Sequence, residues 1–332
     1  MVTRIGIIGC GLVGSKRTRA LGDCPLVAVA DSDLARARQL AAGHPGCAAS
    51  ADWRDVVSRA DIDLVIVSTS NDMLAPVTLA AVQQGKHVLV EKPAARNAAE
   101  LAPVIAAARV AAVKVKVGFN HRFHPALLKA REIFDTGALG PLMYIRGRYG
   151  HGGRLGMERE WRADRTIAGG GEMLDQGVHL IDLARWFAGD FVEVTGHVGT
   201  FFWNMKVEDN GFALLKTAAG QVAWLHASCT EWKNLFSFEI YGRTGKLQID
   251  GLGGSYGIER LTWYRMLPEM GPPATTHWEY PSEDRSWSLE LASLLDSIAA
   301  DRPVTASLED AAAALEIVEK LYKIANGKSQ IP

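Results

Sequence analysis

The first residues with chemical potential form a glycine-rich run, Gly9-Cys10-Gly11-Leu12-Val13-Gly14, which follows an apolar strand pattern and opens a helix. In that context the first glycine permits a tight turn, the second lets the backbone approach a pyrophosphate, and the third lets helix and strand pack closely. The helix N-terminus adds N–H groups and partial positive charge. We therefore expect Gly9, Gly11, Leu12, Val13 and Gly14 to hold a dinucleotide.

An acidic residue follows at the distance that this site requires. Asp31 ends the second predicted strand, 22 residues after Gly9. A carboxylate there accepts hydrogen bonds from the adenosine ribose and repels a 2′-phosphate, which predicts NAD rather than NADP. Arg36 nearby keeps NADP open. In the alternative interpretation the glycines only make a tight turn, and Asp31 caps the next helix.

A charged segment at the end of a buried strand is a second candidate. Glu91, Lys92 and Pro93 follow the apolar run Val88 to Val90. Ligands of open α/β sheets bind at the carboxyl ends of the strands. A lysine there can hydrogen-bond a substrate hydroxyl and stabilise the alkoxide that forms as hydride leaves. By residue type alone, a solvated lysine paired with Glu91 is the commoner outcome.

The third candidate is a pair of side chains after a glycine cluster. Asp175 and His179 follow Gly169-Gly170-Gly171, and their i, i+4 spacing puts both on one helical face. An imidazole suits proton transfer near neutral pH. Without further context, Asp175 is equally a helix N-cap and His179 a surface or core side chain.

The loop 151–165 carries residues suited to anion or sugar recognition. Arginine can grip a carboxylate or phosphate with two hydrogen bonds, and an aromatic ring can stack on a sugar face. Arg154, Trp161 and Arg162 are the candidates. Acidic residues are interleaved with them, so a salt-bridged surface loop is the competing interpretation.

Alternating apolar and helical patterns predict the elements that position these residues. Over residues 3–120 they predict βα units and a parallel sheet, with strands at 5–8, 27–30, 64–67, 88–90 and 115–119 and helices near 12–21, 33–42, 52–59, 72–84 and 97–110. A helix near 125–136, a strand near 142–149, an antiparallel sheet within 191–267, a loop at 268–282 and helices near 286–300 and 308–326 follow. We expect a dinucleotide-binding domain (1–122), a substrate-binding and oligomerisation domain (123–304) and a C-terminal helix (305–332) that packs back near the first domain.

Composition narrows the function classes. The net charge of −1 gives no whole-molecule attraction to nucleic acid or anionic membrane. The predicted strand close to Met1 leaves no room for a secretion signal, the apolar runs are too short to span a bilayer, and the cysteines lack CxxC spacing. We expect a cytoplasmic enzyme with reduced thiols, and no motif indicates a metal site.

Together, GxGxxG, Glu91-Lys92-Pro93 and the glycine cluster with Asp175 and His179 resemble the glucose-fructose oxidoreductase and inositol dehydrogenase (Gfo/Idh/MocA) family, over nearly the whole chain. The resemblance implies a Rossmann domain followed by an α+β domain with a large, mainly antiparallel, open-faced sheet. It places Lys92 in the active site, with its bond to Pro93 often cis. It makes His179 the acid/base at the substrate hydroxyl and puts Asp175 in contact with substrate.

Weaker matches extend the expected site. Ser68-Thr69-Ser70-Asn71 resembles the family segment beside the cofactor, although Ser70 replaces proline and Leu74 stands where family members often carry histidine. The residues expected at the cofactor on this basis are Ser68, Thr69, Asn71, Glu91 and Lys92. Asn120 and Arg122 are expected at the substrate, and an interdomain salt bridge is an equally good account of Arg122.

The resemblance implies hydride transfer between NAD and a secondary alcohol or ketone of a sugar, sugar derivative or cyclitol. One alternative is a redox-neutral enzyme that oxidises a sugar transiently to permit elimination or glycoside cleavage. Another is a sensor that kept the dinucleotide pocket and lost catalysis. In this family the open face of the sheet commonly mediates association, which predicts a homodimer or homotetramer; the aromatic residues that could supply this surface or the core are Phe201, Phe202, Trp203, Trp224, Trp232 and Phe236.

Overall fold

The computed structural model describes residues 2–269 and 271–328 and contains two compact units. The first unit comprises the chain up to Phe119 together with Thr166–Gly169 and Trp287–Leu315. The second comprises Asn120–Arg165, Gly170–Ser286 and the chain from Glu316. The domain boundaries predicted at 122 and 304 do not coincide with this division. The predicted C-terminal segment divides between the units, and its last residues, 329–332, lie outside the described residues.

A six-stranded parallel sheet forms the centre of the first unit. Its strands are β1 (Ile5–Ile8), β2 (Leu26–Ala30), β3 (Ala48–Ser50), β4 (Leu64–Val67), β5 (His87–Val90) and β6 (Val115–Val117). The order β3-β2-β1-β4-β5-β6 confirms the parallel sheet expected from the repeated βα pattern and the Rossmann fold that the family resemblance implies. Strand β3 was not predicted, because three residues at a sheet edge give no hydrophobic period.

An eight-stranded sheet forms the second unit. Its strands are β7 (Leu142–Gly150), β8 (Phe191–Gly199), β9 (Asn210–Thr217), β10 (Val222–Ser228), β11 (Leu235–Gly242), β12 (Gly245–Asp250), β13 (Glu259–Arg265) and β14 (Ala274–Tyr280). The order is β14-β13-β12-β11-β7-β10-β9-β8, and every neighbouring pair is antiparallel except β7 and β10. This confirms the expected, mainly antiparallel sheet.

Apart from α7 and α8, for which no range was predicted, the helices lie close to the predicted positions. They are α1 (Leu12–Arg19), α2 (Leu34–Ala41), α3 (Trp53–Val57), α4 (Asn71–Gln83), α5 (Ala98–Ala111), α6 (Pro125–Asp135), α7 (Arg165–Ala168), α8 (Val178–Ala188), α9 (Ser286–Ala299) and α10 (Leu308–Lys328). Gly85 has a φ of 69° just after α4, the left-handed conformation in which helices commonly end at a glycine. Among the described residues, no helix is both long and apolar enough to cross a bilayer.

Two differences from prediction have physical causes. The loop predicted over 268–282, in which Met270 lies outside the described residues, is wrong for its second half, because strand β14 pairs with β13 there. Polar residues dominate this edge strand, so its apolar signal is weak. Helix α9 belongs to the first unit because Leu291 and Leu294 lie in the same hydrophobic core as Ile5, Leu64 and other residues of the parallel sheet.

Candidate active site

The glycine run of the first unit has the geometry of a dinucleotide loop. Gly9 has a φ of +95°, a conformation that side-chain-bearing residues rarely adopt, and a Cβ there would overlap the backbone of Ser68. A Cβ at Gly14 would overlap the carbonyl oxygen of Gly9. Gly11 is the N-cap of α1, and a Cβ there would meet no atom within 4 Å. The first and third glycines are therefore required by packing, and the second borders open space.

Asp31 closes this loop from the neighbouring strand. One carboxylate oxygen accepts a hydrogen bond from the backbone N–H of Cys10 at 2.7 Å, and the other accepts one from Asp33 at 2.9 Å. Asp33, rather than Asp31, caps α2, because its side chain accepts from Ala35. The Cys10 thiol is buried, and burial, followed by the charge of Asp31, raises its pKa to about 12. It is therefore protonated and unreactive at neutral pH.

These features fit a bound NAD. The open space at Gly11 lies at the N-terminus of α1, where no side chain caps the helix among the described residues, and N–H groups there suit a pyrophosphate. Asp31 is only half-buried and retains lone pairs for ribose hydroxyls. The residues present therefore match the group that Gly9, Gly11, Leu12, Val13 and Gly14 predict.

The expected cofactor residues after β4 mainly hold the backbone together. Ser68 donates its hydroxyl to the carbonyl of Gly9 at 2.8 Å, which joins the ends of β1 and β4. Thr69 donates to the carbonyl of Ser70 at 3.1 Å, and the amide of Asn71 donates to the carbonyl of Ala168 at 2.8 Å. All three lie at the carboxyl edge of the sheet and donate hydrogen bonds to backbone carbonyls, so their contact with a cofactor stays a prediction.

Lys92 is the second residue after β5, and its bond to Pro93 is cis, as the family resemblance implies. The side chain of Lys92 is half-buried. Glu91, which was also expected at the cofactor, is buried instead against the guanidinium of Arg17, at 2.6 Å from its Nε. The carboxylate of Glu91 is therefore directed into the protein, and contact between Glu91 and the cofactor stays a prediction.

In the second unit, Asp175 and His179 lie at a junction of two helical forms. Asp175 lies in a π-helical turn, Met173–Gly177, and His179 is the second residue of α8. The regular α-helical i, i+4 geometry expected for the pair is therefore replaced by a π turn, a distortion that is frequent at functional sites. Asp175 is half-buried, with Arg162 at 3.4 Å, and His179 is 3% exposed.

Aromatic and imidazole rings surround His179, and sequence reasoning missed them. His121 stacks on His179 with ring centroids 3.9 Å apart, and Tyr149 meets both rings at 6.1 Å or less. Burial, followed by the neighbouring Tyr256, raises the pKa of Tyr149 well above its ordinary value, so this phenol stays neutral. The available signal for His121 was its place beside Asn120, whereas nothing local marks Tyr149 at the end of β7.

Two carboxylates give this cluster an acidic character. Glu172 is buried beside His151, with 3.5 Å between Oε1 and Nε2, and it lies three residues before Asp175. The charges of Glu172 and Asp175 both contribute to raising the pKa of the Tyr149 phenol. The cluster of Asp175, His179, His121, Tyr149 and Glu172 thus offers two imidazoles and two carboxylates for moving protons or accepting hydrogen bonds, and one phenol hydroxyl.

The arginines of the loop 151–165 face acidic partners. Arg154 forms an exposed ion pair with Glu160 at 2.6 Å, and Arg159 lies 3.8 Å from Glu158. Arg162 lies over the ring of Trp161 at 4.3 Å as well as beside Asp175. These ion pairs agree with the salt-bridged surface loop, the competing interpretation of the sequence. Arg162 is the arginine of this described loop that lies beside a member of the predicted catalytic pair, Asp175.

The two polar residues expected from the Gly118–Phe123 stretch are buried in structural contacts. Arg122 binds Asp182 with two hydrogen bonds, at 2.8 and 2.5 Å, and Asn120 donates to the hydroxyl of Ser286 at 2.9 Å. Arg122 is 6% exposed, and Asp182 is fully buried. The structure thus shows Arg122 in a buried ion pair within the second unit, and the substrate-binding role predicted for it stays a prediction.

Two family models match the chain. The NAD-binding Rossmann model of the GFO/IDH/MocA oxidoreductase family matches residues 3–119, and the GFO/IDH/MocA C-terminal domain model matches residues 127–248. The chain belongs to the GFO/IDH/MocA family. The resemblance predicted from the glycine loop, the Glu91-Lys92-Pro93 segment and the Asp175 and His179 pair is thereby confirmed.

Curated relatives within the family are sugar and cyclitol dehydrogenases. Levoglucosan dehydrogenase of Pseudarthrobacter phenanthrenivorans is 29% identical over 65% of this chain and 59% of its own length. Inositol 2-dehydrogenase 2 of Saccharopolyspora erythraea is 31% identical over 66% of this chain and 65% of its own length. The chain thus spans about three fifths of the length of these relatives.

A solved structure matches the whole fold of this family member. The NAD binding oxidoreductase from Klebsiella pneumoniae has a TM-score of 0.89 and 24% identity, with 99% of this chain and 98% of that chain covered. At this identity the likeness concerns the fold alone.

Proposed function

We propose that this protein transfers a hydride between NAD and a secondary alcohol, or the matching ketone, of an uncharged sugar or cyclitol. The observation that carries the proposal is the composition of the cluster at His179. The rings of His121 and Tyr149 contact the imidazole of His179, and the carboxylates of Glu172 and Asp175 precede it on the same helical segment. The guanidinium groups of Arg154, Arg159 and Arg162 each lie within 4 Å of a carboxylate. A neutral polyol suits such a surface better than a sugar acid does.

The proposed roles follow from the chemistry of each side chain. His179 takes the hydroxyl proton during oxidation and returns it during reduction. Asp175 binds a substrate hydroxyl, and Lys92 donates a hydrogen bond to the oxygen on which negative charge develops. NAD, when bound at the glycine loop and Asp31, supplies the hydride acceptor. Asp31 favours NAD over NADP because its carboxylate repels a 2′-phosphate.

The test is a spectrophotometric screen for NADH with levoglucosan, myo-inositol and gluconate, repeated with NADP. We expect turnover of a neutral polyol with NAD. Lys92→Met and His179→Asn should each lower kcat by about a hundredfold or more while NADH binding stays within about threefold. Matched controls are Lys114→Met, which removes a lysine paired with Asp301, and His197→Asn, which removes an exposed histidine.

Several outcomes would contradict the proposal. A preference for gluconate would overturn the proposal that the substrate is uncharged. Full activity of Lys92→Met would overturn the catalytic role proposed for Lys92. Product formation without a net change in NADH would favour the redox-neutral alternative, and NADH binding without turnover of any polyol would favour a sensor.

Self-association through the open face of the second sheet belongs to the same proposal. Tyr144, Leu214 and Trp224 are exposed on the neighbouring strands β7, β9 and β10, whereas Phe236 is buried and cannot contribute. We expect a homodimer or homotetramer by light scattering at micromolar concentration, and a monomeric mass would overturn this. A cytoplasmic location is also proposed, because all four cysteines are free thiols, as a reducing compartment keeps them.

A further inference from the structure

A buried cluster of charges lies beside the segment that carries Lys92. The guanidinium of Arg17, on α1, contacts Glu91 at 2.5 Å through Nη2 and Glu290, on α9, at 2.6 Å through Nη1. Arg17 is 1% exposed and Glu290 is fully buried. We call these three residues the Arg17 cluster. It joins three elements of the first unit that are distant in sequence.

The surroundings of the Arg17 cluster are shaped to hold it. A Cβ at Gly118 would lie 3.0 Å from Nη2 of Arg17 and 3.0 Å from Oε2 of Glu91, so a larger residue there would press on the ion pair. The ring of Trp287 lies 4.4 Å from the guanidinium carbon, in a cation–π arrangement. The guanidinium is thus confined on several sides.

Glu91 is held by its backbone as well as by its side chain. Its N–H donates to the carbonyl of Val67 at 2.8 Å, and its own carbonyl accepts from Ala94 at 2.9 Å. Lys92 is the next residue. Val67 of β4 therefore holds the backbone of Glu91, and Arg17 of α1, itself paired with Glu290 of α9, holds its carboxylate. These contacts fix the backbone from which the Lys92 side chain extends.

We propose that the Arg17 cluster is a positioning device for Lys92, which ties the helix of the glycine loop and helix α9 to the segment that carries the lysine. The inference rests on the proposed function in one respect, which is that Lys92 takes part in the reaction. Stability alone is a poor account of the cluster, because a buried ion network is often no more stabilising than apolar packing of equal volume.

The charge of the cluster changes near neutral pH. Burial, with a further contribution from Glu91 and against the opposing effect of Arg17, raises the pKa of Glu290 to about 7. The charged groups that face Glu290 are Arg17 from α1, Glu91 from the end of β5 and the buried Lys116 from β6. Oε1 of Glu290 is buried without a hydrogen-bond partner among the described residues, and it is a suitable place for the proton. Positioning of Lys92 should therefore change between about pH 6 and 8.

The experiment follows Lys92 directly, without a known substrate. The rate at which an activated acetate ester acetylates Lys92 is measured by peptide mass spectrometry from pH 6 to 9. The wild type is compared with Glu290→Gln, Arg17→Lys and Arg17→Met. Glu290→Gln keeps the shape and removes the charge. We expect it to abolish an inflection near pH 7 and to change the rate by about threefold or more, because the labelling rate depends on where the amine of Lys92 is held.

Turnover and stability complete the test. With a polyol substrate, Arg17→Met should lower kcat about tenfold or more at a little-changed KM for NAD, and Arg17→Lys should recover part of the loss, since small displacements of a catalytic group are costly. Glu309→Gln, which breaks the exposed pair with Arg109 in the same unit, is the matched control and should match the wild type.

The results separate the two proposals. Unchanged labelling and pH profiles in both Glu290→Gln and Arg17→Lys, with only a lower melting temperature, would overturn the positioning role. Altered Lys92 labelling would support positioning even if no polyol were turned over, in which case the proposed function alone would fail.

Discussion

Replacing Arg122 with methionine would remove the guanidinium that pairs with the buried carboxylate of Asp182. The wild-type pair has two hydrogen bonds, at 2.8 and 2.5 Å, within the second unit. Because Asp182 is fully buried, water cannot take the place of the lost partner. Breaking a buried pair in this way costs about 3–5 kcal/mol of unfolding free energy.

Removing both charges should cost much less. In Arg122→Met/Asp182→Leu neither side chain is charged, and the double variant should lie within about 1–2 kcal/mol of the wild type. The difference between the double variant and the sum of the single variants gives the coupling energy of the pair. Arg260→Met is the matched control, since Arg260 pairs with Glu279 in the same unit but is exposed, and it should cost less than about 1 kcal/mol.

The assay is urea denaturation followed by circular dichroism. Hydrogen exchange of peptides from α8, which carries Asp182, adds a local measurement, because a chain of two units need not unfold in a single transition. A cost for Arg122→Met as small as that for Arg260→Met would refute the buried-pair argument. Loss of turnover at unchanged stability would return Arg122 to the substrate-binding role that its sequence context predicted.

Two further predictions concern the glycine loop and a buried carboxylate. Gly14→Ala should lower both the melting temperature and the NADH affinity, because its Cβ would overlap Gly9. Gly11→Ala, whose Cβ would meet open space, should lower only the NADH affinity measured by calorimetry. Normal NADH binding by Gly11→Ala would contradict the fit of NAD to this loop. Burial acts to raise the pKa of Asp209, but hydrogen bonds from the backbone N–H groups of Phe201–Trp203 outweigh it and lower the pKa. The ionised Asp209 therefore stabilises the fold at pH values above its unfolded pKa of 3.8, and this stabilisation is lost as the pH falls through the folded pKa. Asp209→Asn should cost about 1–2 kcal/mol at pH 7 and less at pH 3, measured by thermal melts, and an equal cost at both would contradict this.

The parts of the fold that sequence predicts well are those with a short-range signal. Strands β1 and β4 are uninterrupted apolar runs, and their predicted bounds agree with the structure. Gly9 and Gly14 stand where backbone geometry allows little else. Strand β14 lacked such a signal, because an edge strand of polar residues is recognisable only by its pairing with β13.

For the candidate site, prediction was strongest for residue types and weakest for their partners. Lys92, Asp175 and His179 stand out through family motifs. The stacking of His121 on His179 did not stand out, since the two residues are 58 positions apart in the sequence and only the fold of the second unit brings them together. The pairing of Arg122 with Asp182 was not predicted for the same reason, because the two residues lie on different elements.

The sequence by itself determined the dinucleotide loop, because a tight turn, a close helix packing and an acidic residue at the next strand end are local requirements that few residue types satisfy. Only the tertiary structure decided which charges are buried together. Arg17 lies beside the glycine loop, and Glu290 is 273 residues further along the chain, yet they share one ion pair. Such pairing depends on which helices cover the sheet. A hydrophobic period shows that one face of a helix is buried, but it does not show which element that face packs against.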